Sequence, residues 1–372
     1  MIVKDEEADI QRCLDSVAPY IDYWVISDTG SSDNTMQKIQ EIMDGHGVPG
    51  ELHEHKWEDF STNRNHVIRL ARSKADYLWF MDADDNFVSE VEDPFADLPE
   101  EAEMFYFRFE LNDGTLFERQ AMILSSAPII YHGVLHEFLG NSDMTQSEDR
   151  VLHVVQDCMI YARSSPEKRA ATSEKKYLND AATIKRALKD KNLNKGLKAR
   201  YHYYLGVSYR EAGLYKKALS EFQKRLNYGH FGESDERYLS LSAIAAIKKS
   251  SHEVNGSYSE EDVINCYLKC WEEFPSRIEP IVQLMDFLFI KRRHMLALMV
   301  AELPAKTAVA CEQDVLHNKV DYTYNFISQC VAHSAQAGFT EHAIKMAENS
   351  LQSLEGKEKE CMEDLIEKIK GL

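Results

Sequence analysis

The chain of 372 residues has no CxxC cysteine pair, no apolar run long enough to span a bilayer and, in its first 140 residues, little positive charge. Each absence excludes something. The seven cysteines, at 13, 158, 266, 270, 311, 330 and 361, form neither a short-chain disulfide framework nor a paired metal motif, which points to a reducing compartment. Cys266 and Cys270 lie one helical turn apart without a second pair and read as small buried hydrophobes. The longer apolar stretches, such as Ile281 to Ile290, are interrupted and too short for a membrane span. Met1-Ile2-Val3 passes at once into Lys4-Asp5-Glu6-Glu7, which is not a signal peptide, so a soluble cytoplasmic protein is expected. Residues 1–140 hold 10 Lys and Arg against 29 Asp and Glu, while the remainder holds 33 of each, so the whole net charge of −19 sits in the first part. Such a surface repels nucleic-acid phosphates and anionic lipid and argues against both as primary partners. A phosphorylated ligand would need a cation between itself and this surface.

What is present is an ordinary folded composition, 44% hydrophobic and 28% charged, in a chain longer than one core usually spans. Two textures divide it. From residue 1 to about 155, short apolar runs alternate with amphipathic segments. Ile10, Leu14 and Val17 mark a helix with one buried face. Trp24-Val25-Ile26 reads as a strand that ends in the turn-rich cluster Ser27 to Asn34, after which Met36, Ile39 and Met43 open a second helix. Val67, Leu70 and Ala71 predict a third. Tyr77 to Met81 is continuously apolar, as expected of a parallel strand covered on both faces. A β-rich stretch, Met104 to Phe109 and Ala121 to Leu124, follows. The expected class is an α/β sandwich with a mostly parallel sheet.

Beyond residue 165 the pattern is helical. Leu205-Gly206-x-x-Tyr209, followed by Gly213, Tyr215, Ala218 and Phe222, matches the tetratricopeptide spacing, in which small residues let two helices approach and aromatics fill the gap between repeats. Looser copies run through Val263, Tyr267, Cys270 and Pro275, and through Gly338, Ala343 and Ala347. The expected division is a catalytic domain over 1–155, a helical connector over 156–197 and an all-α repeat domain over 198–372.

The segment that carries chemistry is Asp82-Ala83-Asp84-Asp85. It directly follows an apolar run, so three carboxylates are expected to project from the end of a buried strand, where open α/β sheets bind ligands. Crowded carboxylates repel one another unless a cation lies among them, and hard oxygen donors suit Mg²⁺ or Mn²⁺. A bare Asp-x-Asp is also what an acidic surface turn looks like. Its position after a buried strand, and a second polar loop (Asp28 to Asn34) after another strand, weigh against that reading.

These motifs resemble those of family-2 glycosyltransferases of the GT-A fold. Lys4-Asp5-Glu6-Glu7 with Cys13-Leu14-x-Ser16 is similar to the family's opening, and Ser27 to Thr35 to its nucleotide-binding loop. Phe60-Ser61-x-x-Arg64-Asn65, Asp82-Ala83-Asp84 and Gly133-Val134-Leu135-His136-Glu137 follow in the family's order. The resemblance covers about residues 1–140. Members with tetratricopeptide-like tails, among them bacterial peptide S-glycosyltransferases and lipopolysaccharide-type sugar transferases, are similar in layout, and Arg277-Ile278-Glu279-Pro280 resembles a segment of such tails.

The resemblance implies a metal-dependent, inverting transfer of a hexose from a UDP-sugar donor to a glycan or peptide acceptor, with Mn²⁺ or Mg²⁺ as cofactor. It implies Asp84 as direct metal ligand, and Asp82 on the ribose or on the metal through water. Val3, Glu7, Asp28, Arg64, Asp82 and Ala83 are implied in nucleotide binding. Glu137 is the implied general base, and His136 a metal ligand or the base itself. The repeat domain is then expected to present the acceptor or to form a homodimer. Plainer roles stand beside these. Asp33 and Ser32 cap a helix, Arg64 pairs with Asp59 or another carboxylate, His136-Glu137 is a hydrogen-bonded structural pair, His53 and His55 are surface strand residues, and Lys291-Arg292-Arg293 is a solvated helix end. The alternative from a different class is a non-catalytic repeat scaffold that binds a nucleotide without turning it over. A nucleotidyltransferase ranks last, because the loop after the first strand is acidic and without glycine.

Overall fold

The computed structural model describes residues 1–112, 116–143, 151–163, 174–229, 234–303 and 324–371. The chain divides into two compact units, Met1–Lys191 and Asn192–Leu372.

The first unit opens with strand β1 (Ile2–Val3), helix α1 (Ile10–Val17), β2 (Trp24–Asp28), α2 (Thr35–His46), β3 (Gly50–Glu54) and α3 (Phe60–Ala71). Strands β1, β2 and β3 form a parallel three-stranded sheet in that order. The helical spacing read from sequence buries Ile10 and Leu14 of α1, and Ile39 and Met43 of α2, against Trp24 and Ile26 of β2, while Val17 of α1 is buried with Met81 and Phe87. Trp24 lies opposite Gly50 in register, and a Cβ at Gly50 would sit 2.2 Å from the indole, so only glycine admits this ring. Helix α3 begins where Asp59 caps it, its carboxylate accepting from the Thr62 N–H.

The second sheet contains β4 (Tyr77–Trp79), β5 (Asp85–Ser89), β6 (Met104–Glu110), β7 (Leu116–Leu124), β10 (Leu152–Val154) and β11 (Cys158–Ala162). Its order is β4-β7-β6-β11-β5, with β10 paired to β6. The apolar run at Tyr77–Met81 differs from expectation here: its strand pairs antiparallel with β7, not with a parallel neighbour. Parallel pairing is complete only in β1–β3; the second sheet mixes both senses. Strand β11 falls within the stretch expected as a connector, yet it is bonded to both β5 and β6. The core of this sheet is aromatic, with Trp79, Phe87, Phe95 and Phe107 in mutual ring contact. A small hairpin, β8 (Ile129–His132) with β9 (Phe138–Asn141), stands apart from both sheets, and helix α4 (Glu174–Ala187) follows β11.

The second unit is helical among its described residues: α5 (Lys195–Glu211), α6 (Tyr215–Asn227), α7 (Ser234–Asn255), α8 (Glu260–Glu273), α9 (Glu279–Ile290), α10 (His294–Ala301), α11 (Phe326–Gln336), α12 (Thr340–Ser350) and α13 (Gly356–Lys370). The repeat signature acts as its spacing predicts. A Cβ at Gly206 on α5 would lie 2.7 Å from the Phe222 ring on α6, so the missing side chain sets how closely the two helices approach. Val263, Tyr267 and Cys270 bury one face of α8, and Ala343 and Ala347 one face of α12. Lys291-Arg292-Arg293 is the turn after α9, as read. No helix among the described residues is long and apolar enough to cross a membrane.

Candidate functional site

Two loops after β1 and β2 are zipped together by their own backbone. The Asp5 N–H donates to Ser31 Oγ (2.9 Å), the Glu6 N–H to Thr35 Oγ1 (2.7 Å) and the Glu7 N–H to Asp33 Oδ2 (3.1 Å). In return Asp5 Oδ1 accepts from the Ser32 N–H, and the Glu7 carboxylate accepts from the backbone and side-chain amides of Asn34. Those amide bonds hold the Glu7 carboxyl below its ordinary range. Val3 is buried at the sheet end opposite Asp28, its carbonyl accepting from the N–H and hydroxyl of Thr29. The helix-capping role expected of Asp33 or Ser32 is not found: the N-cap of α2 is Asn34, without a side-chain cap, and Asp33 accepts from the Thr35 N–H and hydroxyl in a local turn.

Asp28 ends β2 with its carboxylate turned into the loop. Oδ1 accepts from the N–H groups of Gly30 and Ser31, both at 2.8 Å. Oδ2 is buried and has no hydrogen-bond partner among the described residues. A buried carboxylate oxygen without a donor is costly, so a ligand or an ordered water is the natural partner for it.

The Asp82–Asp85 turn is bracketed by α1. Cys13 Sγ donates to the Asp82 carbonyl (3.3 Å), and Arg12 Nη2 donates to the Asp84 carbonyl (3.1 Å), which also accepts from the Arg163 N–H. Since α1 follows the Lys4–Glu7 loop directly, one helix fixes the acidic turn beside the zipped loops. Of the three carboxylates expected to project, Asp85 does not. It opens β5, is 2% exposed, and accepts the Asp82 N–H at Oδ2 (2.9 Å). Burial, with the neighbouring Asp82 charge, pushes its carboxyl up to about 7.

Asp82 lies between two guanidiniums. Arg64 Nη2 reaches Oδ1 at 2.6 Å and Arg119 Nη1 reaches Oδ2 at 3.3 Å. Burial works against ionisation there, but these two charges hold the Asp82 carboxyl well below the usual carboxylate range. The Nε of Arg64 binds Glu137 Oε1 at 2.8 Å, and its guanidinium lies 5.3 Å from the Tyr131 ring centroid. Arg119 Nη2 reaches Asp85 Oδ2 at 3.4 Å. Glu137, Arg64, Asp82, Arg119 and Asp85 therefore form one chain of alternating charge. Asn65, next to Arg64, exchanges two bonds with the backbone of Tyr131 and ties α3 to the β8–β9 hairpin. The Arg64-Asn65 pair thus divides its work: one residue orders carboxylates, and the other anchors the segment that carries Glu137. Arg64 does not pair with Asp59, whose carboxylate caps α3.

His136 is exposed and holds a left-handed backbone (φ 53°) in the turn before β9. Ala83 is buried. Among the described residues no group of three or more His, Cys, Asp or Glu is arranged to hold a metal ion. Asp82, Asp84 and His136 are thus not brought together as a ligand set, and both oxygens of Asp82 face arginines. Mg²⁺ is commonly held by one or two carboxylates plus substrate phosphates and water, so hard-oxygen donors on this turn still fit such an ion. His53 is bonded to Glu51, and His55 stacks on His66 at 4.0 Å. A cavity of about 270 Å³, lined by Val17, Ile21, Trp24, Trp79 and Met122 together with Asp22 and Asp76, contains none of these site residues. Arg119 escaped sequence reading; it sits in a plain strand with no motif around it, and only its pairing partners single it out.

Residues 1–166 match the model of glycosyl transferase family 2. The matched segment contains every site residue described above. The chain is 31% identical over 147 residues to a TPR repeat-containing protein of Synechococcus elongatus, which covers 38% of this chain and 35% of that protein. It is 29% identical over 145 residues to the SPbeta prophage-derived glycosyltransferase SunS of Bacillus subtilis, covering 37% and 33%. The chain thus spans about a third of the length of the curated relatives it matches. The solved structure of S. aureus TarS 1–349 is loosely similar, with a TM-score of 0.36 at 13% identity over 74% of this chain and 89% of that one.

Proposed function

We propose that the family-2 domain transfers a hexose from a nucleotide sugar, with UDP as the nucleotide, to a glycan or peptide acceptor with inversion. The observation that carries this reading is that the loop before α1 is bonded to the Asp28 loop while α1 itself holds the Arg-clamped Asp82–Asp84 turn. In this reading Asp28, with its unpartnered Oδ2, accepts from the nucleoside, and Glu7 and Val3 border the same pocket. Asp82, held by Arg64, orients the ribose. Asp84 would hold Mn²⁺ or Mg²⁺, which when bound neutralises charge on the diphosphate leaving group. Arg64 keeps Asp82 and Glu137 in fixed relation.

Glu137 is the proposed base. It takes the proton of the acceptor hydroxyl or thiol as that atom bonds to the anomeric carbon, while the bond from that carbon to the diphosphate oxygen breaks and the nucleoside diphosphate leaves. In this reading His136, exposed on the same turn, meets the acceptor. The helical unit serves acceptor recognition or self-association. The relative named a glycosyltransferase supports the transfer reading.

The test is a thermal-shift screen of nucleotide sugars with and without Mn²⁺, followed by hydrolysis assays on those that bind. A Mn²⁺-dependent shift with UDP-sugars and slow hydrolysis supports the reading. Binding without any turnover, with or without candidate acceptors, favours the nucleotide-binding scaffold instead.

A further inference from the structure

Arg119 is the one member of the charge chain that belongs to no recognised motif. It projects from β7, where it lies opposite Phe107 of β6. Its guanidinium rests on the face of Phe109, 4.1 Å from the ring centroid, and extends its two Nη atoms to different carboxylates. The contacts to Asp82 (3.3 Å) and Asp85 (3.4 Å) are longer than the 2.6 Å bond from Arg64 to Asp82. The environments differ as well: the Arg119 side chain is 41% exposed, against 13% for Arg64 and 3% for Asp85.

The geometry has a mechanical consequence. Asp82 and Asp85 approach across one tight turn, where the backbone N–H of Asp82 bonds Asp85 Oδ2. Two carboxylates at that spacing repel, and the fork of a guanidinium is the side chain suited to separate and orient both at once. Arg64 pulls on Oδ1 of Asp82 from the side of α3; Arg119 holds Oδ2 from the side of β7. Without the second grip, the Asp82 carboxylate would be free to rotate about the first. The aromatic seat on Phe109 fixes the guanidinium plane and lowers the entropy lost in holding it there.

We propose that Arg119 is a positioning residue of the donor site, acting through Asp82 by fixing its carboxylate from the side opposite Arg64. The proposal rests on the reading of this turn as a nucleotide-sugar site.

The test is a double-mutant cycle on UDP affinity, measured by calorimetry on the full chain in the presence of Mn²⁺. Arg119→Met is expected to weaken UDP binding about 10-fold or more, in line with the loss of an oriented charged contact. In the Asp82→Asn background the same substitution is expected to change the affinity less than about 2-fold, because a residue that acts through Asp82 has nothing left to act on. Arg119→Lys keeps the charge but not the fork. It should retain the unfolding temperature of the unaltered protein while binding UDP nearly as weakly as Arg119→Met. Losses that multiply independently in the double variant would overturn the proposal by showing a separate contact. So would UDP affinity unchanged in Arg119→Met, or restored in full by lysine. If the unaltered protein fails to bind UDP, the donor-site reading falls and takes this proposal with it, an outcome distinct from the others.

Discussion

Buried charge is arranged differently in the two units. In the first unit five charged side chains from separate elements converge on one strand end, and the chain they form ends in acids at both sides. In the helical unit one buried cluster joins Arg200 of α5 and Arg225 of α6 at Glu236 of α7, and the other pairs are local pins. Arg277, 3% exposed, pairs with Asp235 and Glu279; Glu221 of α6 pairs with His202 of α5; Arg237 pairs with Glu273 between α7 and α8. Dispersed pairs fix helix against helix and need no ligand. A convergent set holds more like charge than folding alone calls for, and such sets gather at functional sites. The uneven distribution of acid along the sequence is the same contrast seen at low resolution.

The sharpest way to break this comparison is to remove one charge from each kind of arrangement. Asp84→Ala should leave the circular dichroism spectrum unchanged and lower Mn²⁺-dependent UDP-sugar turnover by at least about 10³-fold, as expected when charge stabilisation at a leaving group is lost. Retained turnover would mean that the acidic turn is only structural. Arg277→Met should do the reverse. Removing the buried guanidinium between Asp235 and Glu279 should cost about 3 kcal/mol in urea unfolding, with UDP affinity unaltered. A loss of UDP binding there would show that the helical unit takes part in donor recognition.

Two smaller effects sharpen the description of the helical unit. His333, fully buried on α11, donates from Nε2 to the Met285 carbonyl and meets His294 Nδ1 at 3.2 Å. Burial pulls its imidazole down to about 4 from an ordinary 6.5. The unfolded chain therefore binds more protons between those values. The stability from neutral His333 is present above pH 6.5 and is lost as the pH falls through about 4. The expected loss is about 1–3 kcal/mol, read from unfolding at stepped pH, and His333→Gln should flatten the slope. Gly206→Ala should cost about 1–3 kcal/mol by driving a methyl into Phe222; an unchanged unfolding midpoint would mean that the helices relax apart freely.

Local periodicity made much of this fold legible. The faces of α1 and α2, the strand at Trp24, and the Gly206–Phe222 contact all depend on neighbours within a few residues or on one repeat unit. Pairing between distant strands was not legible. Nothing in Tyr77 to Phe80 reveals that its partner is β7, some forty residues on, or that the pairing is antiparallel. The site divides in the same way. Asp82 and Asp84 were visible because they follow an apolar run, but the inward turn of Asp85 depends on the start of β5, and the role of Arg119 depends on the register of β7 against β6. Arg64 could be singled out by resemblance, whereas its two carboxylate partners could be assigned only once α3 and the hairpin carrying Glu137 were seen to meet.

A crystal structure of the protein with Mn²⁺ and UDP most directly tests whether this strand end is a donor site. The expected result is a manganese anomalous peak within bonding distance of Asp84 and the diphosphate, with the nucleoside against Asp28. Well-ordered UDP bound elsewhere, or a cation that avoids Asp84 while nucleotide is present, would contradict it.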